Sequence, residues 1–300
     1  MQLTEVQQSI VAAKEHRIVV SAGAGTGKTR VLTERIAHLI EDEKYSVYDI
    51  LAVTFTRFAA NEMRDRLAKR NPEYGKKIEI RTFHSWALAC LKKHGADLGI
   101  GGDLDVITEV ERDEILREIA DDCRIKIGRD FDYRQEIWAS ATPGTLFGGQ
   151  SDYQMVIKSL WNIYRQYRII DYDKIIYDFA QLVKIADVSA TLRRQYRHIL
   201  IDEFQDTNQH IWGIFEQINP EYLFIVGDID QCLYSFNGSR PEIMVELSAR
   251  EGFKLYKLER NWRCPVDVVY SADRLIANNR QRIARRMNAS KDINGLKIVY

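Results

Sequence analysis

The sequence predicts an α/β fold with a mostly parallel sheet, and three observations support this prediction. Short apolar runs alternate with patterns of helical spacing, which is the order found when helices cover a parallel sheet. The first run, residues 18–20, leads into a glycine-rich loop at 21–29 and then into a helical pattern at 31–40. Several later runs end in polar residues, and ligands of such sheets lie at the carboxyl ends of the strands. We therefore expect the functional site at one edge of the sheet.

The chain opens with a predicted capped helix over residues 3–11. Thr4 suits the N-cap position, and Gln7 follows it at the spacing of a capping box. Two interpretations of Gln7 stay open at this point. Its side chain caps the helix, or its amide, just ahead of the first strand, reads the edge of an adenine.

The loop at 21–29, SAGAGTGKT, is typical of phosphate-binding loops because a strand precedes it and a helix follows it. Its glycines let the backbone approach a ligand closely, and its N–H groups form an anion cradle with the start of the helix. Lys28 is expected to reach the β- and γ-phosphates of a nucleotide, and Thr29 to offer its hydroxyl to Mg²⁺. Ala22 stands at the first motif position, where the strict pattern has Gly. The alternative is a glycine-rich turn that binds nothing. The loop residues predicted to bind the nucleotide are Ala22, Gly23, Ala24, Gly25, Thr26, Gly27, Lys28 and Thr29.

Two further strands are predicted to end in hydroxyl, aromatic and basic side chains. The strand at 49–56 ends near Phe55 and Arg57, and an aromatic beside an Arg suits a stacked base next to a phosphate. The strand at 78–81 leads to His84. For each of these residues the alternative is a purely structural role, and that alternative is favoured when the residue is considered by itself. Several strand ends that carry donors and rings together favour a ligand-binding edge.

The pattern from about residue 87 to 195 is almost wholly helical. Helices are predicted at 110–123, 153–167 and 172–186, with a loop at 142–149. We interpret this part as a helical insertion in the α/β domain. The following aromatic and arginine residues are assigned to packing first and to nucleic acid second: Trp161, Tyr164, Arg165, Tyr167 and Arg168.

The sheet is predicted to resume with an apolar strand from His198 that ends in Asp202 and Glu203. An acidic pair at a strand end is a weak signal alone, but beside a phosphate-binding loop it predicts the rest of a nucleotide-hydrolysis site. Asp202 is expected to hold Mg²⁺ through water, and Glu203 to polarise the attacking water.

Two more strands are predicted at 222–226 and 254–258. Gln231 follows the first of them and is placed to sense a γ-phosphate. Tyr234 and Phe236 lie just beyond Gln231 on the same loop, so the state of the nucleotide and the aromatic contacts would be linked mechanically.

Composition limits the function classes. The chain has 300 residues, 45% hydrophobic and 29% charged, a length that suggests about two domains. Lys+Arg and Asp+Glu both number 43, so net charge argues neither for nor against nucleic acid, and any basic surface is local. The four cysteines form no CxxC pair and predict reduced thiols without a metal framework. Residues 1–9 lack a signal-peptide profile, and no apolar run is long enough to span a bilayer. We expect a cytoplasmic protein with no membrane partner.

Stretches in order from residue 3 to about 279 resemble the successive motifs of UvrD/Rep-type superfamily-1 DNA helicases. They are SAGAGTGKTR, LAVTFTRFAANEMRDRL, RTFHS, YDFAQLV, ILIDEFQDTN, IVGDIDQCLYSFNGS and LERNWRC. One such motif is a weak signal, whereas a collinear set is specific. The resemblance implies a RecA-like P-loop NTPase domain with a mostly helical insertion, followed by a second RecA-like domain. It also implies ATP and Mg²⁺ as cofactors.

The resemblance implies roles for single residues. Gln7 contacts adenine, and Arg30 and Trp262 flank its faces. Gln231 and Arg263 approach the γ-phosphate. The residues implied to contact single-stranded DNA, largely by stacking, are Phe55, His84, Tyr234 and Phe236. The expected catalytic residues are Lys28, Glu203, Gln231 and Arg263, and the expected metal ligands are Thr29 and Asp202.

Three residues depart from the family pattern. Arg57 stands where the family usually has Asn, which adds a phosphate contact to the expected DNA site. Trp262 replaces the usual Tyr and keeps a stacking face. Asn237 stands where the family often has Arg, which puts one DNA contact in doubt.

The sequence after Arg263 holds a predicted helix at 266–278, a basic patch and a strand at 296–300. The patch consists of Arg280, Arg282, Arg285 and Arg286. The later family motifs, including the one that supplies the arginine finger, have no counterpart. We therefore expect the second RecA-like domain to be truncated.

These observations predict three parts. Residues 1–86 and 196–260 form a RecA-like ATP-binding domain (1A), 87–195 a helical insertion (1B), and 261–300 the start of a second RecA-like domain (2A). The expected function is the ATP-binding half of a UvrD-like DNA helicase, which binds Mg-ATP and single-stranded DNA but hydrolyses weakly and does not unwind alone. A protein partner is expected to supply the missing motor domain. The alternative is a non-enzymatic, nucleotide-gated module that binds DNA or a partner and mimics or modulates a full helicase. A small-molecule P-loop kinase is disfavoured by the aromatic loop after Gln231.

Overall fold

The structure is a computed structural model, and the chain in it divides into two compact units. One unit comprises residues 1–83 and 190–300, and the other comprises residues 84–189. The separate third part predicted at 261–300 stays a prediction. The residues that the structure describes are 2–128, 131–139, 152–232, 238–279 and 282–290.

Helices and strands alternate through most of the chain, as the hydrophobic pattern predicts. The helices are α1 (Glu5–Val11), α2 (Lys28–Glu41), α3 (Arg57–Arg70), α4 (Pro72–Lys77), α5 (Phe83–His94), α6 (Glu109–Cys123), α7 (Tyr133–Ala139), α8 (Asp152–Tyr167), α9 (Tyr172–Leu182), α10 (Ala186–Gln195), α11 (Gln209–Ile218), α12 (Glu242–Ala249) and α13 (Val266–Ile276). The strands are β1 (Arg17–Ala22), β2 (Ile50–Thr54), β3 (Glu79–Thr82), β4 (Asp105–Val106), β5 (Ile169–Ile170), β6 (His198–Ile201), β7 (Tyr222–Gly227), β8 (Lys254–Leu258), β9 (Arg260–Asn261) and β10 (Asn288–Ala289).

A six-stranded sheet of order β3-β2-β6-β7-β1-β8 forms the centre of the first unit. Every neighbouring pair in it is parallel, which confirms the predicted α/β class. The central strands are buried on both faces, and this explains why they read as continuous apolar runs instead of alternating ones. Ser21 pairs with Gly227 and Val53 with Ile201, so the carboxyl ends of these strands meet at one edge.

The second unit is mostly helical, as the sequence predicts. An apolar cluster of residues from α6, α7 and α8, including Ile137 and Leu160, forms its core. Asp171 caps α9 and accepts hydrogen bonds at 2.6 Å from the hydroxyls of Tyr133 and Tyr164. Because these three side chains are buried, the bonds fix α7, α8 and α9 to one another.

The prediction of a single helix at 172–186 is wrong, because α9 ends at Leu182 and α10 begins at Ala186. After Leu182 the backbone N–H groups of Lys184 and Ile185 bond three residues back instead of four, which tightens the turn and ends the helix. The strand predicted at 49–56 is also shorter, because β2 ends at Thr54. The predicted loop at 142–149, strand at 296–300 and Arg280 lie outside the described residues.

No helix in the part of the chain that the structure describes is long and apolar enough to cross a membrane.

Candidate nucleotide-binding site

The loop between β1 and α2 lines a cavity of about 250 Å³. Gly25 and Gly27 have backbone φ angles of 67° and 90°, in the left-handed region that a residue with a Cβ adopts only with strain. A Cβ at Gly25 would also lie 2.8 Å from the Arg263 Cβ. The Thr26 hydroxyl donates to the Gly23 carbonyl at 2.8 Å and holds the turn closed. The lining residues are Ala24, Gly25, Thr26, Gly27, Lys28, Thr29, Arg30, Glu62, Arg66, Glu203, Gln231 and Arg263.

An ion pair joins the loop to the end of β6. The Lys28 Nζ lies 3.0 Å from the Glu203 Oε2, and both side chains line the cavity. Glu203 has a left-handed backbone (φ 48°, ψ 45°), a strained conformation for a residue other than glycine. Such strain persists only where the surroundings enforce it, and here it accompanies the contact between Glu203 and Lys28.

Asp202 is buried directly beside Glu203. Its Oδ1 accepts a hydrogen bond from the Glu203 N–H at 3.0 Å. The pKa of Asp202 is raised to about 7. Burial is the largest cause and the Glu203 carboxylate is the second, whereas the Lys28 charge acts in the opposite direction. A cation beside Asp202 would favour its ionised form, so the pair Asp202 and Glu203 suits a site that receives positive charge.

Hydrogen bonds lead from Glu203 through Gln205 and Asp228, which the sequence analysis did not single out, to Gln231 at the cavity. The Gln205 Nε2 donates to the Glu203 Oε2 at 2.9 Å, and the Gln205 Oε1 accepts from the Asp228 N–H at 2.8 Å. The Gln231 amide in turn donates to the Asp228 carboxylate. A Cβ at Gly227 would lie 2.7 Å from the Gln205 Oε1, so this contact requires glycine there. The sequence contains one clue to the role of Gln205, which is its position two residues after Glu203.

Arg285 anchors this network from the far end of the chain. Its side chain is 1% exposed, forms an ion pair with Asp228, and lies 3.1 Å from an Asp230 carboxylate oxygen. Its Nη1 donates to the Ser21 Oγ at 3.2 Å. The prediction of a basic patch is therefore wrong for Arg285, because two buried carboxylates hold its charge inside the protein.

Residues 282–290 also pack against the start of the loop. A Cβ at Gly23 would collide with the Met287 Sδ, and β10 pairs in parallel with β9. The segment that carries Arg285 is thus part of the wall around the glycine-rich loop.

Asn261, which the sequence analysis also passed over, fastens the residues after β8 to the loop. Its Nδ2 donates to the Ala24 carbonyl at 2.7 Å. Its Oδ1 accepts from the N–H groups of Arg263 and Cys264, both at 2.8 Å. These bonds account for the position of Arg263 at the cavity.

Trp262 lies next to the loop, where its backbone N–H donates to the Gly25 carbonyl at 2.9 Å. The Arg260 guanidinium lies 4.3 Å from the centre of the Trp262 ring and covers one face of it. The role of Trp262 and Arg30 on either side of an adenine stays a prediction.

Gln7 is 3% exposed, and both ends of its amide are engaged. The Oε1 accepts from the Thr4 N–H at 3.1 Å and completes the predicted capping box. The Nε2 donates to the Thr26 carbonyl at 3.2 Å. The structure therefore shows the capping role, and a contact from Gln7 to adenine stays a prediction.

The residues predicted to contact DNA fall in different parts of the chain. Phe55 is half-buried and Arg57 is exposed, both just after β2 in the first unit. Tyr234 and Phe236, like Asn237, lie outside the described residues. His84 belongs to the second unit, where its ring meets Tyr172 edge-on at 5.5 Å.

The electrostatics of His84 limit what it can do. Burial is the main cause that lowers the pKa of His84 to about 4, and the positive charge of Arg134 is the second cause. The imidazole is therefore neutral at pH 7 and carries no charge that could pair with a phosphate, and a contact from His84 to a nucleic acid stays a prediction.

The aromatic and basic side chains of α8, and Arg168 directly after it, lie elsewhere in the second unit. Trp161, Tyr164, Arg165 and Arg168 line a cavity of about 250 Å³. Tyr164 is buried in the core of the unit, which supports its assignment to packing, whereas Tyr167 is 64% exposed.

Comparisons with known proteins agree on one family. The family model described as UvrD/REP helicase N-terminal domain matches residues 3–251. The ATP-dependent DNA helicase PcrA of Staphylococcus aureus is 29% identical over 311 residues, which cover 98% of this chain and 42% of that protein. The DNA helicase II proteins of Salmonella typhimurium and Escherichia coli are each 30% identical over 300 residues, covering 95% of this chain and 42% of the relative. The chain therefore spans less than half the length of these relatives.

Proposed function

This chain belongs to the UvrD/REP helicase family, and on that premise we propose that it binds Mg²⁺-ATP and single-stranded DNA as the ATP-binding part of a helicase. The observation that carries the proposal is the cavity over the glycine-rich loop, where Lys28 and Glu203 meet at 3.0 Å. A cationic donor and a carboxylate side by side are the groups that phosphate binding and water activation need.

The residues of this chain divide the work at the proposed site. The loop N–H groups and Lys28 bind the β- and γ-phosphates, and Glu203 orients and polarises the attacking water. Gln231 and Arg263 line the same cavity and are proposed to contact the γ-phosphate. The Lys28–Glu203 contact keeps both groups at the cavity, so neither has to be recruited from a distance.

The donor set fits Mg²⁺, which prefers oxygen ligands and keeps several waters. The Asp202 carboxylate and the Thr29 hydroxyl are the proposed protein ligands. Within the described residues no three His, Cys, Asp or Glu side chains gather as a metal cage, and a site shared with substrate phosphates needs none. When bound, the ion would neutralise charge that develops on the phosphates.

The Lys28→Ala variant should bind ATP more weakly, because it removes a charge-assisted contact of about 1.5–3 kcal/mol. Calorimetric titration of both proteins with Mg²⁺-ATP measures the difference. Lys14→Ala is the matched control, since Lys14 is exposed and lies outside the cavity. Equal affinities for wild type and Lys28→Ala would rule out the assignment of the phosphate site.

Single-stranded DNA should bind weakly and with little sequence preference, and the side chains proposed to contact it are Phe55, His84, Tyr234 and Phe236. Stacking contributes about 1–3 kcal/mol per base, and because few phosphate contacts are expected the salt dependence should be shallow. Fluorescence anisotropy of a labelled oligonucleotide measures both. If Tyr234→Ala and Phe236→Ala each bind like wild type, these two rings are packing residues instead.

A further inference from the structure

The carbonyl groups of the glycine-rich loop are held by donors from other parts of the chain. Those of Ala24 and Gly25 accept hydrogen bonds from the residues that follow β8. The Thr26 carbonyl accepts from the Gln7 Nε2 at 3.2 Å, and this bond is buried. Gln7 belongs to α1, so the first helix of the chain contributes to the shape of the loop.

The bond from Gln7 also determines where the next N–H group points. The Thr26 carbonyl and the Gly27 N–H belong to one planar trans peptide, in which they point in opposite directions. Gly27 has no Cβ and a backbone φ of 90°, so this peptide rotates readily unless a bond opposes it. With its carbonyl held by Gln7, the peptide turns its N–H to the other side, and Gly27 lines the cavity. An anion cradle requires N–H groups that face the ligand.

Arg35 anchors the helix that carries Gln7. Arg35 is 3% exposed and lies in α2, the helix that follows the loop. Its Nη1 donates to the carbonyls of Val11 and Ala13 at 2.9 and 2.8 Å, and it lies 3.3 Å from the carbonyl of Ile10. Carbonyls at the end of a helix lack the usual partner four residues on. A buried guanidinium is a strong donor to such groups.

The same guanidinium is fixed against the sheet. It lies 5.0 Å from the centre of the Phe224 ring on β7. Arg35 therefore joins the end of α1 to both α2 and the sheet. Because the loop leads directly into α2, the placement of Gln7 over the Thr26 carbonyl depends on how α1 lies on α2.

We propose that Arg35 is a positioning residue for phosphate binding, which holds α1 on α2 so that Gln7 keeps the Thr26–Gly27 peptide in its anion-binding orientation. The inference rests on the proposed function, which supplies the phosphate ligand. It differs from the predicted contact between Gln7 and adenine, because it concerns the phosphates and needs no base. A loop that has its shape before the ligand arrives loses less binding free energy to its own ordering.

The test is calorimetric titration with Mg²⁺-tripolyphosphate, which has the phosphates of ATP but no base, and in parallel with Mg²⁺-ATP. Gln7→Met keeps most of the side-chain volume but cannot donate to the Thr26 carbonyl. It should weaken tripolyphosphate binding by about 2- to 12-fold, the factor that one hydrogen bond supplies. Arg35→Lys keeps the charge but loses the guanidinium that spans the carbonyls, and it should weaken binding by a factor in the same range. Gln8→Met is the matched control, because Gln8 is exposed on the same helix.

Calorimetry also separates a positioning role from a loss of fold. A sample that is partly unfolded shows fewer binding sites per chain at unchanged affinity, whereas a misplaced loop lowers the affinity of every site. If the two residues act as a unit, adding Arg35→Lys to Gln7→Met should change the affinity by less than about twofold. Arg35→Gln is the second variant at this position, and melting curves of all variants check folding.

The remaining outcomes distinguish the inference from the proposed function. If Gln7→Met weakens ATP but not tripolyphosphate binding, or if Gln8→Met weakens both as much, the inference is overturned. Arg35 variants that do not fold, or that fold and bind with wild-type affinity, would give Arg35 a purely structural role and overturn it as well. Wild type that binds ATP but not tripolyphosphate overturns the inference and leaves the proposed function standing. Wild type that binds neither overturns both.

Discussion

A polypeptide of these 300 residues should bind ATP, yet hydrolyse it about 10³–10⁵-fold more slowly than a full-length relative, the range that an arginine finger contributes in other NTPases. Negative charge develops on the γ-phosphoryl oxygens in the transition state, and preorganised positive charge stabilises it. Lys28, Arg30 and Arg263 line the cavity. The resemblance assigns the finger to a second RecA-like domain.

DNA should stimulate turnover little, and a tailed duplex should stay unopened, because translocation needs two domains that close on ATP.

Steady-state ATP turnover with and without single-stranded DNA measures this expectation. Glu203→Gln is the matched control, since it retains the shape of the side chain but cannot polarise water as a carboxylate does. Turnover by wild type that equals turnover by Glu203→Gln would favour the non-enzymatic alternative, a nucleotide-gated module. A specific activity that rises steeply with protein concentration would indicate that a second copy supplies the finger. Robust unwinding by a demonstrated monomer would refute the expectation.

Arg285→Met should lower the free energy of unfolding of the first unit by about 3–5 kcal/mol, the usual loss when one partner of a buried ion pair is removed. The Arg285 side chain is 1% exposed, and those of Asp228 and Asp230 are 2% and 4% exposed. Methionine keeps much of the volume but leaves both carboxylates without their cation. Urea denaturation followed by circular dichroism measures the loss.

Two controls make the experiment on Arg285 specific. Arg286→Met changes an exposed neighbour and should shift stability by less than about 0.5 kcal/mol. Adding Asp228→Asn and Asp230→Asn to Arg285→Met should recover part of the loss, because no buried charge is then left alone. A loss below about 1 kcal/mol, which is small for a buried pair, would mean that residues 282–290 detach without unfolding the sheet.

Local patterns in the sequence determined the class of fold and the place of the glycine-rich loop. Apolar runs such as that of β2 are buried on both faces, and parallel strands buried in this way leave that signal in the sequence. Gly25 and Gly27 stand where the backbone turns left-handed, a requirement that sequence expresses through glycine. Thr4 and Gln7 form the capping box that their spacing predicts. Each of these features depends on residues close together in the chain.

Contacts between distant residues were decided only by the tertiary structure. Ser21, Asp228 and Arg285 meet because β1 and β7 are neighbours in the sheet although most of the chain separates them in sequence. Nothing in the spacing of the arginines after α13 shows which one is buried. Hydrophobic periodicity reports which face of an element is covered, but not which charged groups of other elements cover it. Buried ion pairs therefore depend on the order of strands, and that order is set by long-range packing.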